Sequence, residues 1–259
     1  MKEPKKIFEL ALAIGETMLR NGAETFRVED TIIRILRTSG CAVCESFVTP
    51  TGIFVTLDDP SMDTLTYVKR VQTRRVHLDK VAIANQLSRS YCTGEIDIEE
   101  AKIQLSSIRM ESSYSGKVFV LASSFASACF TIVFGGGYLD AVGALIVGFI
   151  VGITHLLLSK LTVSKFFIDL ICGMLIAVIG IFVYQVLGIG VHFELIIAGA
   201  IMPFVPGVAI TNAIFDTIQG NLLSGISRTA EAFNIAASIA IGIGVILKLY
   251  SVMIGGVIL

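Results

Sequence analysis

The chain has 259 residues, with 20 Lys/Arg against 21 Asp/Glu, a formal net charge of −1 and a mean hydropathy of +0.81. Near-neutral charge, without a basic cluster interleaved with aromatics, excludes nucleic acid as an expected partner. Five scattered cysteines, with no second CxxC and no HxxxH, offer no set of four convergent ligands, so no metal and no cofactor is expected.

The average hydropathy hides two unlike halves. Residues 1–117 hold sixteen Lys/Arg and sixteen Asp/Glu, whereas residues 118–259 hold four and five. The first half reads as a soluble domain of ordinary size and the second as a polytopic membrane domain. The expected fold is therefore an N-terminal soluble α+β domain (1–111), a linker (112–117) and an all-α membrane domain (118–259).

Ile7, Leu10, Ala11, Ile14 and Met18 recur at helical spacing, and Asn21-Gly22 stops that helix. Asn21 with Glu24 three residues on has the form of a capping pair for a second helix, whose apolar face is Val28, Ile32, Ile35 and Leu36. Two strands, 43–48 and 53–57, flank Pro50-Thr51-Gly52, where the glycine is free to take positive φ. A third strand is expected over 64–71, a helix from about His77 to Cys92, and a last helix capped by Asp97 and running to about Met110. Cys41 and Cys44 are read within the first strand, where odd spacing points them to opposite faces.

Glu16, Asn21, Glu24, Thr25, Arg27, Glu29 and Asp30 crowd the helix hairpin. Paired carboxylates can serve acid–base chemistry. The plainer reading is a solvated helix face with local ion pairs, Glu16 to Arg20 among them. No GxSxG, Walker-type or dinucleotide loop is present, and no secretory signal is visible, so enzyme function is not expected.

Five apolar segments follow, at 118–134, 141–158, 166–187, 195–214 and 232–248. A polar turn is expected over 216–231. Lys117, Lys160, Lys165 and Arg228 fall at one set of span ends, while the loops at Gly135 and Gly188 have no basic residue. That asymmetry places the N-terminal domain in the cytoplasm and the C-terminus outside, with Lys248 snorkelling at the outer interface. Stripes of small residues, Ala144-Gly148-Gly152 and Ala232-Ala236-Ala240-Gly244, suit close helix packing, and so small a bundle leaves interfaces for a partner or a second copy.

The fourth span is interrupted by Pro203 and Pro206. In lipid, backbone freed by proline survives only against protein or water. A half-helix restarting at Gly207, Val208 and Ala209 would aim its free N–H groups at an anionic group such as a cargo carboxylate, with Asn212 as a hydrogen-bonding residue. Asp216 is expected to exchange a proton or to pair with Arg228. Asp140 ends the triglycine turn, and Asp169 lies just inside the third span, one turn after Lys165, close enough for a local pair; both join the candidates for proton coupling or gating.

Three separated motifs carry a resemblance. LALAIGETMLRNGAETFRVEDTIIRIL (10–36), GGGYLDAVGALIVG (135–148) and MPFVPGVAITNAIFDTIQGNLLSGISRTAEA (202–232) resemble the threonine/serine exporter family over nearly the whole chain, in the expected order. The first motif contains Glu16, Asn21, Gly22, Glu24, Thr25 and Arg27. The resemblance implies a cytoplasmic N-terminal domain and a cell-membrane domain that exports small metabolites by proton exchange. Long members have about ten spans and carry a second, smaller membrane module. A chain of about five looks like the larger subunit of the split form, whose partner is a short separate membrane protein. Split members are associated with succinate-like dicarboxylates as well as with threonine and serine. A membrane-tethered hydrolase-like enzyme and a membrane sensor are the alternatives.

Overall fold

The computed structural model describes residues 4–72, 75–110 and 114–254, with residue 254 described by its backbone alone. Part of the expected linker, 111–113, and the end of the membrane domain, 255–259, lie outside the described residues. In chain order the elements are α1 (Pro4–Arg20), α2 (Thr25–Arg37), β1 (Val43–Thr49), β2 (Gly52–Asp59), β3 (Met62–Arg70), α3 (Leu78–Thr93) and α4 (Ile98–Met110). Then come α5 (Gly116–Val133), α6 (Tyr138–Leu158), α7 (Lys165–Gln185), α8 (Phe193–Ile201), a 3-10 turn (Met202–Phe204), α9 (Gly207–Ile218) and α10 (Leu222–Ile254). Helices plus an antiparallel three-stranded sheet are thus followed by long apolar helices. Four of these can cross a membrane, or five if Phe193–Phe204 and Gly207–Ile218 together make one broken span.

The chain divides into two compact units. One comprises residues 1–113 together with Gly207–Ala230; the other comprises Tyr114–Pro206 and Glu231–Leu259. The chain passes between them after residue 113, at Pro206–Gly207 and at Ala230–Glu231.

In the first unit α1 and α2 lie against each other and against the inner face of the sheet. Ile7, Leu10, Ile14, Met18, Val28, Ile32, Ile35 and Leu36 are fully buried with Ile53, Val55 and Leu57. Alternation along a strand sends successive side chains to opposite faces, which leaves Phe47, Phe54 and Val68 exposed on the other side. At Gly15 the two helices are in close contact, and a Cβ there would lie 2.5 Å from Ile32 Cδ1. Gly22 at φ 95° ends α1, and the Ala23 N–H returns to the Met18 carbonyl at 3.1 Å, closing the last turn. Asp97 does cap α4, accepting the Glu100 N–H at 2.8 Å.

Several local expectations change. Asn21 does not cap α2; its amide donates back to the Thr17 carbonyl at 2.7 Å, and Glu24 stands at the N-cap without a side-chain bond to the helix backbone. Gly52 is not in the positive-φ region, because the turn is Pro50-Thr51 and Gly52 already pairs with Thr49 in the ladder. Cys41 precedes β1, so only Cys44 lies in the strand. The polar turn expected over 216–231 is only Gln219–Asn221. Gly220 at φ 87° and the Asn221 N–H bonded to the Asp216 carbonyl at 2.8 Å end α9, and α10 starts at once. Residues 222–231 contain no proline, and Gly225 packs where a Cβ would meet the Ala213 carbonyl at 3.2 Å, so a polar composition here still forms helix.

In the second unit α5, α6, α7, α8 and the 231–254 part of α10 pack around Ala144, Val147, Val151, Ile176, Ala177, Ile196, Ala200 and Ile239. Gly148 and Gly152 of α6 lie on Ser127 and Ser123 of α5, and Gly199 of α8 lies on Thr131. Each hydroxyl is bonded within its own helix: Ser123 to Val120, Ser127 to Ser123 and Thr131 to Ser127, at 2.8–2.9 Å. Hydroxyls that satisfy themselves this way can line an apolar contact without losing a partner. In α10 the small-residue stripe behaves otherwise. Ala236, Ala240 and Gly244 are exposed, and the close approach to α7 uses Gly242 and Gly173 instead; a Cβ on Gly173 would stand 2.6 Å from the Ile239 carbonyl oxygen.

Candidate functional site

The break in the fourth apolar segment follows its prolines. Pro203 sits in the 3-10 turn, Val205 turns extended, and α9 restarts at Gly207 immediately after Pro206. Proline cannot donate to the preceding turn, and its ring is tolerated where a helix begins. From Gly207 to Ala230 the chain belongs to the first unit, and there it makes bonds across about 190 residues of sequence.

Three side chains of this segment hold the α1–α2 turn. Asn212 Nδ2 donates to the Gly22 carbonyl at 2.8 Å. Asp216 Oδ1 accepts both the backbone N–H and the hydroxyl of Thr25, each at 2.9 Å. Arg228 Nη2 donates to the Ala23 carbonyl at 2.7 Å, and its Nε lies 3.0 Å from Asp216 Oδ2 as an ion pair rather than an aligned hydrogen bond. The α2 N-terminus, left without a local cap, is therefore capped by a carboxylate from α9, where the helix dipole favours negative charge. Asp216 is fully buried, Arg228 nearly so. Removing either partner would strand the other's charge, at a cost of about 3–5 kcal/mol.

Glu29, one turn beyond Thr25, extends this cluster. It accepts the Val48 N–H of β1 at 2.7 Å and a bond from the Asn221 side chain, while Ser224 Oγ donates to the Val48 carbonyl at 3.4 Å. Burial pushes its carboxyl above the ordinary range; the Asp216 charge adds to the rise and the two hydrogen bonds oppose it. In sequence Glu29 is one acid among several; its i,i+4 spacing from Thr25, which puts both on one face, is the signal that it is different.

Beside the turn lies a groove of about 560 Å³ within the same unit. One wall is the start of α9, with Gly207, Val208, Thr211 and Asn212; the opposite wall carries Glu24 and Arg27, and Leu78, Val81 and Ala82 of α3 supply an apolar side. No side chain covers Gly207, since an added Cβ would meet nothing within 4 Å. Arg27 pairs with Glu24, Nε to Oε2 at 2.9 Å and Nη2 to Oε1 at 3.3 Å. Ala209 is half-buried on α9 but does not line the groove.

The remaining sequence candidates do not line the groove. Glu16, 8% exposed, joins Arg20 at 2.8 Å, Arg109 of α4 at 3.4 Å and Lys69 of β3 at 3.5 Å, so it ties three elements together in addition to the local pair. In the second unit Asp140 Oδ1 accepts the N–H groups of Val191 (2.5 Å) and His192 (2.9 Å), and Oδ2 accepts that of Gly137 (2.9 Å), with His192 Nδ1 at 3.3 Å. It fastens the loop before α8 to the start of α6. Asp169 on α7 is 4% exposed, and the expected pair with Lys165 is not formed. Among the described residues no group of three or more His, Cys, Asp or Glu could hold a metal ion.

A family model described as "Putative threonine/serine exporter" (ThrE) matches residues 9–250, nearly the whole chain and both units. The chain belongs to this family. It is a transporter family with several candidate membrane helices, not a class of enzymes. The chain is also similar to a protein named "Probable threonine/serine exporter" from Mycobacterium tuberculosis (strain ATCC 25618 / H37Rv), at 20% identity over 249 residues. That match takes in 94% of this chain and 46% of the relative, so the chain spans less than half the relative's length. No solved structure matches.

Proposed function

We propose that the protein is the larger subunit of a split, proton-coupled exporter of small carboxylated metabolites, and that the groove at the start of α9 receives the cargo. The observation that carries this reading is the meeting of α9's uncovered N-terminus with the Arg27–Glu24 pair in one groove. Free N–H groups at Gly207 and Val208 and the Arg27 guanidinium suit a carboxylate. Glu24 suits an ammonium group. A zwitterionic α-amino acid such as serine or threonine satisfies both charges, whereas a dicarboxylate such as succinate would set its second carboxylate against Glu24 or against Leu78 and Val81. Arg27 is 45% exposed, so its pair with Glu24 is worth only about 0–1 kcal/mol and is readily exchanged for cargo.

The family named for threonine and serine supports the same cargo. Transport follows by alternating access at the Val205–Pro206 break. The N-terminal domain faces the cytoplasm and the C-terminus the outside, an orientation supported by Lys117, Lys160 and Lys165; Arg228 is committed to Asp216 and does not count towards it. A short membrane protein of the same family completes the transporter. The test is efflux of labelled serine, threonine and succinate from vesicles holding this chain with that partner. Arg27→Gln should abolish efflux of every cargo, and Glu24→Gln should cut serine and threonine while sparing or raising succinate. Wild-type rates for both variants, at equal protein levels, sink the assignment.

A further inference from the structure

Three aspartates within the candidate spans are buried, and their surroundings differ. Asp140 accepts three backbone N–H groups and faces His192. Asp216 accepts two bonds from Thr25 and pairs with Arg228. Asp169 is buried to the same degree, yet among the described residues neither of its oxygens has a hydrogen-bond or ion-pair partner, and Oδ2 is sealed from solvent. We propose that Asp169 is the proton-binding site of the membrane unit, taking up and releasing the proton that the exporter moves. This deepens the exporter reading and rests on it.

An ionised carboxylate in an apolar helix bundle is stable only when paired or hydrogen-bonded. Asp140 and Asp216 meet that condition and can stay charged. Asp169 does not, and a proton on Oδ2 removes the charge and with it the largest part of the cost, since a neutral buried carboxyl costs far less than an ionised one. The neighbourhood offers no substitute. Asp169 lies on the buried face of α7 with Ile168, Cys172, Gly173 and Ile176. Its own helix supplies the ionisable groups within electrostatic reach, Lys165 and Cys172. The elements packed around α7 bring Asp140 and His155 (α6), Glu194 (α8), and Glu231, Lys248 and Tyr250 (α10), and none of these bonds to Asp169 among the described residues. Close packing at Gly173 and Gly242 leaves no space for another side chain to swing in there. Lys165, one turn towards the start of α7, is positioned to hold the ionised state once the site opens, giving the carboxylate two situations: neutral and sealed, or charged and near Lys165.

The test is a hydrophobic carbodiimide, whose central carbon is attacked by the oxygen of a protonated carboxyl group in apolar surroundings as the acid proton passes to its nitrogen, applied to the full chain in lipid vesicles across a pH series and mapped by mass spectrometry. Labelling is expected at Asp169, falling roughly tenfold per pH unit once the group ionises, with little at Asp140 or Asp216. Asp169→Asn should abolish that label and make cargo exchange independent of pH, while Asp169→Glu should keep both. Labelling of Asp140 or Asp216 with Asp169 unmodified at every pH overturns the proposal, as does unchanged pH dependence in Asp169→Asn. If Asp169 labels as expected but vesicles move none of the tested cargoes, the exporter reading fails and the proton site stands.

Discussion

The two units solve the same problem, polar groups away from water, in opposite ways. In the unit formed by 1–113 and 207–230, side chains reach far along the sequence: Asn212, Asp216 and Arg228 bond Gly22, Thr25 and Ala23. In the other unit Ser123, Ser127 and Thr131 of α5 bond inside their own helix, Ser124 reaches only the Leu145 carbonyl of the adjacent α6, and glycines close the contacts between helices. The first arrangement specifies one partner for each group and is costly to break singly. The second is tolerant of chemistry and intolerant of volume. Asp169 follows neither pattern.

Breaking the long-range pair should give the largest effect. Arg228→Met leaves Asp216 buried and unpaired, and full-chain unfolding should show a loss of about 3–5 kcal/mol. Adding Asp216→Leu to that variant should recover much of the loss, because an apolar pair replaces a stranded charge. Equal losses in the single and double variants would show that the ion pair is not what holds the turn.

In the second unit volume should matter instead. Gly173→Ala places a Cβ against the Ile239 backbone, which cannot move as a side-chain end could, and should cost about 1–3 kcal/mol. Gly244→Ala, with nothing within 4 Å, should be neutral or stabilising by up to about 1 kcal/mol. Thermal unfolding of the two variants side by side measures this, and equal effects would contradict the packing described.

Glu29 gives a smaller, pH-dependent contrast. Its folded carboxyl titrates above the unfolded value of 4.5, so the folded state binds more protons just above that pH and stability falls as pH rises through the window. Glu29→Gln keeps an acceptor for the Val48 N–H and removes the buried charge. It should therefore match or exceed wild-type stability at neutral pH, with the difference fading as pH falls to the unfolded value. A difference that grows on acidification would reverse the sign.

Element by element, most of the fold was legible in sequence. Period-3.6 spacing marked α1 and α2, alternation and turn residues marked the sheet, and apolar length marked α5, α6 and α7. Pro203 and Pro206 marked the break. The start of α10 was not legible, since a polar helix held by long-range bonds has the composition of a loop. The cap on α2 was hidden for a related reason: Asn21 and Glu24 satisfy the local rule, but the bond comes from Asp216, 191 residues away. Of the candidate site, Gly207, Val208 and Asn212 were found from the broken helix, whereas Leu78, Val81 and Ala82 reach the groove only through tertiary packing. Nothing in the spacing separates Asp169 from Asp140; only the bonds around them do.

The central claim is that cargo occupies the groove beside α9, and site-directed thiol protection tests it most directly. Ala82→Cys puts a thiol on the exposed apolar wall, and its maleimide labelling in the full chain can be followed by mass spectrometry with serine, threonine or succinate present. The account predicts that serine and threonine slow labelling at residue 82, that succinate does so less, and that Arg27→Gln removes the protection. Labelling at residue 82 that no cargo slows would contradict it.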